Sequence, residues 1–432
     1  MKHTLSAKRV QGRTVVRVCL MSLAALAVCL CVRAPGASAA PSADPVKAPA
    51  ASELRTEHYD IHVEGMDAAE VGNMLEQLHA QLKVYFGKAP EGRLPVGVYA
   101  TRERWAAALR ADRQYVPPVA GGYYAPFTRK AYMWVQPSAY FTRQVLLHEV
   151  THQFHWLVAT GNLAPSAGWY TEGLAEHFGM HNWDGKNLQT GVIPAVTLED
   201  YPATALRNFE AEGNDLQKLF AREGRPESWA LVHFLMDTRG GQFHKLAAML
   251  DRQDNFAEAW KQAFGGETDT AHLSLEFREW IKGHAQPWQI VWASWQQRGV
   301  NIGGESWTSA LTVLKETPKT LSVEVQSSAT AGAAGLVFGY QSVNDFYVLQ
   351  VRPGQKVNVS RRLNGAWVKV SKDDLPLGKD YSVLTVSQDD KSTTLWANDK
   401  KVGTISAVGQ VGLNVEGSRA LFHIVTPATP GM

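Results

Sequence analysis

Cysteine is almost missing from this chain: 432 residues contain three, Cys19, Cys29 and Cys31, all within the first 39. A disulfide framework is therefore excluded for everything downstream, whose stability must come from buried apolar surface and hydrogen bonds. An excess of one charge is missing as well. The formal net charge is +2, from 43 basic and 41 acidic residues, and residues 1–39 hold six of the basic ones (Lys2, Lys8, Arg9, Arg13, Arg17, Arg33) and no acid. Without them 37 basic residues face 41 acidic ones, a balance of −4. No basic cluster remains that would bind nucleic acid or an anionic membrane surface, and both are excluded as partners. Long apolar runs are absent apart from Val18–Val32, about 15 residues where roughly 20 are needed to span a bilayer. Basic residues precede that run and Ala37-Ser38-Ala39 follows it, so residues 1–39 read as a signal peptide. The mature protein is expected to be exported, periplasmic or extracellular, with no stable membrane anchor after signal cleavage.

What is present is material for two cores: 45% of residues are hydrophobic and 10% aromatic. Ala, Pro and Ser dominate residues 40–52, a flexible linker by composition. The alternation of Tyr59, Ile61 and Val63 predicts a strand, and Asp67-Ala-Ala-Glu70 is a capping box. It opens a helix whose apolar stripe is Val71, Met74, Leu75, Leu78 and Leu82 and which Gly87 closes. A strand at 94–100, a helix opened by Thr101 and a hairpin pairing 122–125 with 130–135 follow. From Phe141 to Gly283 the period is helical, with loops at 160–168 and 181–202, and the tryptophans between Trp229 and Trp295 read as core. After Trp295 it becomes two, with turn signals at Pro353-Gly354, Asn364-Gly365 and Asn398-Asp399. These patterns predict a mixed sheet followed by helices over 53–295 and an all-β sandwich over 305–432, divided within 296–304.

His148-Glu149-Val150-Thr151-His152 is the most informative stretch. Residues four apart on an α-helix are separated by 400°, or 40° net, so both imidazoles leave one face and can grip one ion. Glu149 beside them has the reach of a general base without being a ligand. Five letters recur by chance, so a third ligand has to decide. The H-E-x-x-H-x-x-G-x-x-H arrangement fails, because residue 155 is His and residue 158 is Val. The next helix instead carries Trp169-Tyr170-Thr171-Glu172-Gly173-Leu174-Ala175-Glu176, and Glu172 completes a two-His-one-Glu set that leaves a fourth position open.

H-E-x-x-H followed by W-x-x-E-G-x-A-E resembles the gluzincin zinc metallopeptidases, most closely their small bacterial peptidase-MA-like members. The likeness spans about residues 55–285, including Ser228–Phe234. It implies an α+β gluzincin-like catalytic domain holding Zn2+ on His148, His152 and Glu172, with Glu149 as catalytic base and Glu176 accepting a hydrogen bond from a ligand imidazole. His233 is the candidate for stabilising a transition state, with a packed core histidine as its plainer reading; His155 is expected beside the ligands or at the surface, and His177 and His181 carry no chelating spacing. In the tail, Gly335–Tyr340, Asp345–Val351, Asn364–Trp367 and Gly409–Leu413 resemble the concanavalin-like jelly roll of laminin-G-type and glycan-associated modules. That implies a fold and an accessory domain with a glycan or cell-wall ligand or a purely structural role. The expectation is an exported metallopeptidase that hydrolyses peptide bonds of a peptide or protein substrate, with strand 130–135 lying along its cleft. Its alternative is a zinc-site-bearing glycan or cell-wall binding protein without proteolytic activity.

Overall fold

The computed structural model describes residues 51–265, 270–327, 332–352, 354, 356–371, 375–376 and 382–425. The expected signal peptide and all but the last two residues of the linker lie outside them, as does Pro353. Five strands and two helices come first: β1 (Ser52–Arg55), β2 (Tyr59–Val63), α1 (Ala68–Phe86), β3 (Leu94–Tyr99), α2 (Arg102–Ala111), β4 (Gly122–Ala125) and β5 (Lys130–Trp134). The capping box acts as read: the Asp67 carboxylate accepts from Glu70 N at 2.8 Å, and Gly87 closes α1 at φ 67°. The strands form one mixed sheet in the order β1-β2-β3-β5-β4, parallel at β2-β3-β5 and antiparallel at both edges. Strand β5, the segment expected to lie along a cleft, is thus paired on both sides and cannot add a strand. The sheet edge belongs to β4.

The helical run comprises α3 (Ala139–Ala159), α4 (Gly168–Gly179), α5 (Tyr201–Ala211), α6 (Leu216–Arg222), α7 (Arg225–Asp251), α8 (Phe256–Phe264) and α9 (Thr270–Gly283). Between α4 and α5, where a loop was expected, β6 (His181–Trp183) and β7 (Leu188–Thr190) make a small hairpin. One core joins this half: Val145, Leu146, Val150 and Phe154 of α3, Trp169, Tyr170 and Leu174 of α4, Trp229 and Phe234 of α7, and the sheet residues Ile61, Val96 and Met133. Helices α4 and α7 cross closely at Gly173, where a Cβ would stand 2.2 Å from the Ser228 carbonyl oxygen and 2.5 Å from Val232 Cγ2. The glycine inside the W-x-x-E-G-x-A-E stretch is therefore a packing requirement.

The remaining chain is one antiparallel sheet system: β8 (Trp288–Trp292), β9 (Ser294–Arg298), β10 (Asn301–Leu314), β11 (Thr320–Ser327), β12 (Ala333–Ser342), β13 (Asp345–Arg352), β14 (Lys356–Leu363), β15 (Ala366–Lys369), β16 (Leu375–Pro376), β17 (Ser382–Gln388), β18 (Thr393–Ala397), β19 (Lys400–Ile405) and β20 (Gln410–Val425). Its path runs β15-β14-β13-β12-β20-β11-β17-β18-β19, with β10 on β20 and with β8 and β9 on β10. The sheet curls in jelly-roll fashion around Leu336, Phe338, Leu349, Leu384, Leu413 and Phe422. Alternate residues of β12 and β13, Val337, Phe346 and Val348, join Leu311 and Val313 of β10 in a second cluster on the opposite face. The expected division within 296–304 is corrected here. Residues 294–305 are a hairpin with Arg298 opposite Asn301, and β8, inside the expected first domain, pairs with β10. Trp288 and Trp295 belong to the sandwich core rather than to that of the helical half.

Gly173→Ala should lower unfolding free energy by about 1–3 kcal/mol through overpacking. Gly241→Ala, where nothing lies within 4 Å of the added methyl, should leave it unchanged or raise it slightly. Urea unfolding followed by circular dichroism measures both, and equal effects would remove the crossing argument.

Candidate metal centre

Helix α3 starts at Ser138, whose hydroxyl accepts from Phe141 N at 3.1 Å, and runs through the middle of the helical half with Val145, Leu146, Leu147, Val150 and Phe154 buried. A helix covered on all sides also buries its polar residues, and here Arg143, Gln144, His148, Glu149, Thr151, His152, Gln153 and His155 are all buried. Such groups are stable only with partners. His148 and His152 project from one face with their rings perpendicular, and their Nε2 atoms are 3.0 Å apart. Helix α4 brings Glu172 to the same point: Oε2 is 3.4 Å from His148 Nε2 and Oε1 is 3.6 Å from His152 Nε2. A tetrahedral ion with bonds of about 2.0–2.1 Å sets its donors roughly 3.3 Å apart, so these three separations fit one small cation. The Glu172 side chain is 26% exposed while both imidazoles are nearly covered, which leaves the cluster open on the glutamate side. Burial opposes ionisation of Glu172, but His152 and His148 outweigh it and hold the carboxyl well below its ordinary range.

Glu176, one turn further along α4, is fully buried at 0% exposure. Its carboxylate accepts from Gln144 Nε2 at 2.9 Å, from Tyr201 Oη at 3.1 Å and from Arg225 Nε, and lies 2.9 Å from His148 Nδ1. Burial would raise its pKa, yet Arg225 and His148 pull it down to about 2. A carboxylate behind a ligating imidazole fixes the ring's tautomer and orientation. Neither His148 Nδ1 nor His152 Nδ1, both buried, makes a hydrogen bond of good geometry. Glu149 is also covered; burial pushes its carboxyl up, against the pull of His148 and His152. Strand β4 presses on it so closely that a Cβ on Gly122 would stand 2.5 Å from Glu149 Cγ.

No family model matches the chain, and no curated protein matches it. Among solved structures it is similar to the carbohydrate-binding module CBM66 from Bacillus subtilis, at 19% identity over 32% of this chain and 93% of that one, with a TM-score of 0.29. It is also similar to the GH43 protein BlXynB from Bacillus licheniformis, at 15% identity over 32% of this chain and 36% of that one, TM-score 0.28. A Bacillus licheniformis β-glucanase shares 10% identity over 32% of this chain and 92% of that one, TM-score 0.25. These likenesses concern a β-sandwich fold. The expected peptide-bond-hydrolysing metallopeptidase is corrected on this finding: the similar folds are carbohydrate-binding and glycoside-hydrolase folds, and the alternative reading is carried forward in its place. Among the described residues no helix is long and apolar enough to cross a membrane.

The structure brings His148, His152, Glu172, Glu149 and Glu176 together, and it leaves His233 out. His233 Nδ1 lies 3.1 Å from His177 Nδ1, its ring sits among Trp229, Trp280 and His284, and burial lowers its pKa to about 4. It is a half-buried histidine packed among aromatic rings. His155 is buried rather than superficial, 2.8 Å from Asp251 Oδ1 and stacked on Phe86. His181 stacks on Tyr140 and contacts the Gly179 carbonyl oxygen at 2.8 Å. A second convergence, Glu57, His58 and Glu76, includes a glutamate 83% exposed; His58 is engaged by Glu76 at 2.6 Å and stacked on His79. Sequence reasoning missed Gln144, Tyr201, Arg225 and Gly122. Only Gln144 carried a signal, being one helical turn before His148 on the same face.

Arg225→Met leaves the buried Glu176 charge with Gln144, Tyr201 and His148 but no guanidinium, and is expected to cost about 3 kcal/mol. Glu176→Gln in the same chain removes that charge and should recover part of the loss. Chemical denaturation of the two single variants and the double variant measures the coupling; strictly additive losses would show that the pair does not act as a unit.

Proposed function

We propose that this protein binds a glycan or cell-wall polymer through its β-sandwich and carries a zinc site in its helical half. The observation that carries the first part is a shallow, open surface pocket of about 360 Å³ lined by Trp292, Ser309, Arg362 and Glu416. The Arg362 guanidinium stands 5.6 Å from the centre of the Trp292 ring and 5.7 Å from that of Trp367, which is 37% exposed. Ser309 Oγ donates to Glu416 Oε1 at 2.7 Å, and Asn414 Nδ2 reaches the same oxygen at 3.3 Å. Aromatic faces beside a few fixed polar groups suit a pyranose, which offers a flat C–H face for stacking and hydroxyls at its rim.

For the second part, His148, His152 and Glu172 are the holders of the ion, Glu176 orients His148, and Glu149 stands beside them. When bound, zinc supplies a Lewis-acidic centre with an open coordination position. The signal-like residues 1–39 support export, which is where a wall polymer is met. Glu149 favours a second reading, in which an acyl group carried by the bound glycan is hydrolysed here: His148, His152 and Glu172 would hold an ion that polarises the acyl carbonyl, and Glu149, buried beside them, would take the proton of the attacking water, releasing the carboxylic acid and the sugar hydroxyl.

Affinity electrophoresis through gels containing soluble polysaccharides, with sedimentation on purified cell walls, tests the binding. Retardation or co-sedimentation should be weakened about tenfold in Trp367→Ala without loss of thermal stability, and in Trp292→Ala with some loss, because Trp292 also packs against Phe346 and its neighbours. A wild-type protein retained by no polysaccharide and no wall would overturn the reading. Purified protein should hold about one zinc per chain, lost in His148→Ala, His152→Ala and Glu172→Ala and kept in Glu149→Gln. Zinc retained at full affinity in Glu172→Ala would remove Glu172 from the ligand set. Acid release from acetylated polysaccharide that falls by on the order of 10² to 10⁴ in Glu149→Gln would establish the second reading. Zinc-loaded wild type that releases none would dispose of it.

A further inference from the structure

We infer that His177 of α4 and His233 of α7 form a second transition-metal site, apart from the centre on α3, which takes an imidazole-preferring divalent ion and copper(II) most tightly of these. His177 follows Glu176 by one residue, so it leaves α4 about 100° round from that carboxylate and meets α7. There the two Nδ1 atoms face each other at 3.1 Å, with the rings 5.1 Å apart centre to centre and inclined at 46°. The separation nearly repeats the 3.0 Å between the Nε2 atoms of His148 and His152. It suits two nitrogens on one ion, for which bonds of about 2.0–2.1 Å set a spacing of roughly 3.3 Å.

Two further donors stand beside the pair, both oriented by Trp280 of α9. Its carbonyl oxygen accepts from His284 Nδ1 at 2.7 Å, which puts the proton on that nitrogen and leaves the Nε2 lone pair for a metal. Its indole N–H donates to Asp237 Oδ2 at 2.8 Å without using Oδ1. Asp237 lies one helical turn beyond His233 on α7, the spacing that puts both on one face, and the His284 ring centre is 6.3 Å from that of His233. Either can supply a third bond, with water completing the shell. His177, His233 and His284 are each half-buried, so an ion can enter from solvent. Burial, helped by His233, lowers the His177 pKa to about 3, and burial, helped by His284, lowers that of His233 to about 4. At neutral pH both rings are therefore uncharged, the form in which imidazole binds a metal, and copper(II) stands highest among the divalent ions that imidazole favours.

Copper(II) titration of the untagged full chain carrying His148→Ala and His152→Ala, followed by electron paramagnetic resonance, tests the site with the α3 centre removed. One equivalent should bind, with nitrogen splitting from at least two imidazoles. Adding His233→Gln should weaken the binding by at least about tenfold and remove nitrogen splitting, and His177→Gln should do the same. Asp237→Asn and His284→Gln tell which of the two makes the third bond, the weaker binder naming it. Copper affinity unchanged by both His177→Gln and His233→Gln would overturn the inference and leave the pair as a single imidazole-to-imidazole hydrogen bond. If the chain with both alanines does not fold, the zinc-loaded wild type takes its place. One copper should then bind while the zinc stays, and copper that enters only as zinc leaves would overturn the site.

Discussion

The buried carboxylate of Glu176 is the constraint on which the helical half depends. It sits at 0% exposure where α3, α4, α5 and α7 meet, and each contributes a group to it: His148 and Gln144 from α3, Tyr201 from α5, Arg225 from α7. Desolvating a carboxylate and a guanidinium costs several kcal/mol, and a gap in the surrounding hydrogen bonds would leave that cost uncompensated. The arrangement is therefore intolerant of small displacements. That intolerance fixes the His148 ring, and with it the face on which His152 and Glu172 converge.

A second buried cation connects this half to the sandwich. Arg143, one turn before Leu147 on α3, donates to Gln296 Oε1 of β9 at 2.6 Å, contacts His181 Nε2 at 3.3 Å and approaches Glu70 of α1 at 3.8 Å. Burial lowers its pKa to about 10, and Glu70 works against that fall. Asn182 and Gly299 exchange hydrogen bonds of 2.9 and 2.8 Å alongside it. These contacts tie β9 and the turn after it to α3 and to β6, while Trp288 of β8 and Trp295 of β9 fill the sandwich core.

Much of this was legible in residue order because it depends on local rules. The α1 cap, the β4–β5 hairpin, the 40° offset of His148 and His152, and the two-residue period from Leu321 onward each follow from a few neighbouring positions. What escaped depends on tertiary approach. Nothing near Arg225 announces that it meets Glu176, nothing in Gly122 announces Glu149, and Trp288-Gln-Ile-Val-Trp292 has a pattern that only its partner β10 resolves into a strand. His233 looked available because its partner, His177, lies 56 residues earlier in the chain. The peptide-cleaving expectation failed on a different level: it carried a function over from a motif, whereas the motif by itself specifies a place for an ion.

Whether that place holds one is decided most directly by zinc K-edge X-ray absorption on zinc-loaded protein. The account predicts a four- or five-coordinate light-atom shell at about 2.0–2.1 Å with the multiple scattering of two imidazoles and no sulfur, reduced to one imidazole in His152→Ala. Zinc that shows no imidazole scattering, or a spectrum unchanged in His152→Ala, would contradict it and leave His148, His152 and Glu172 as a hydrogen-bonded polar core.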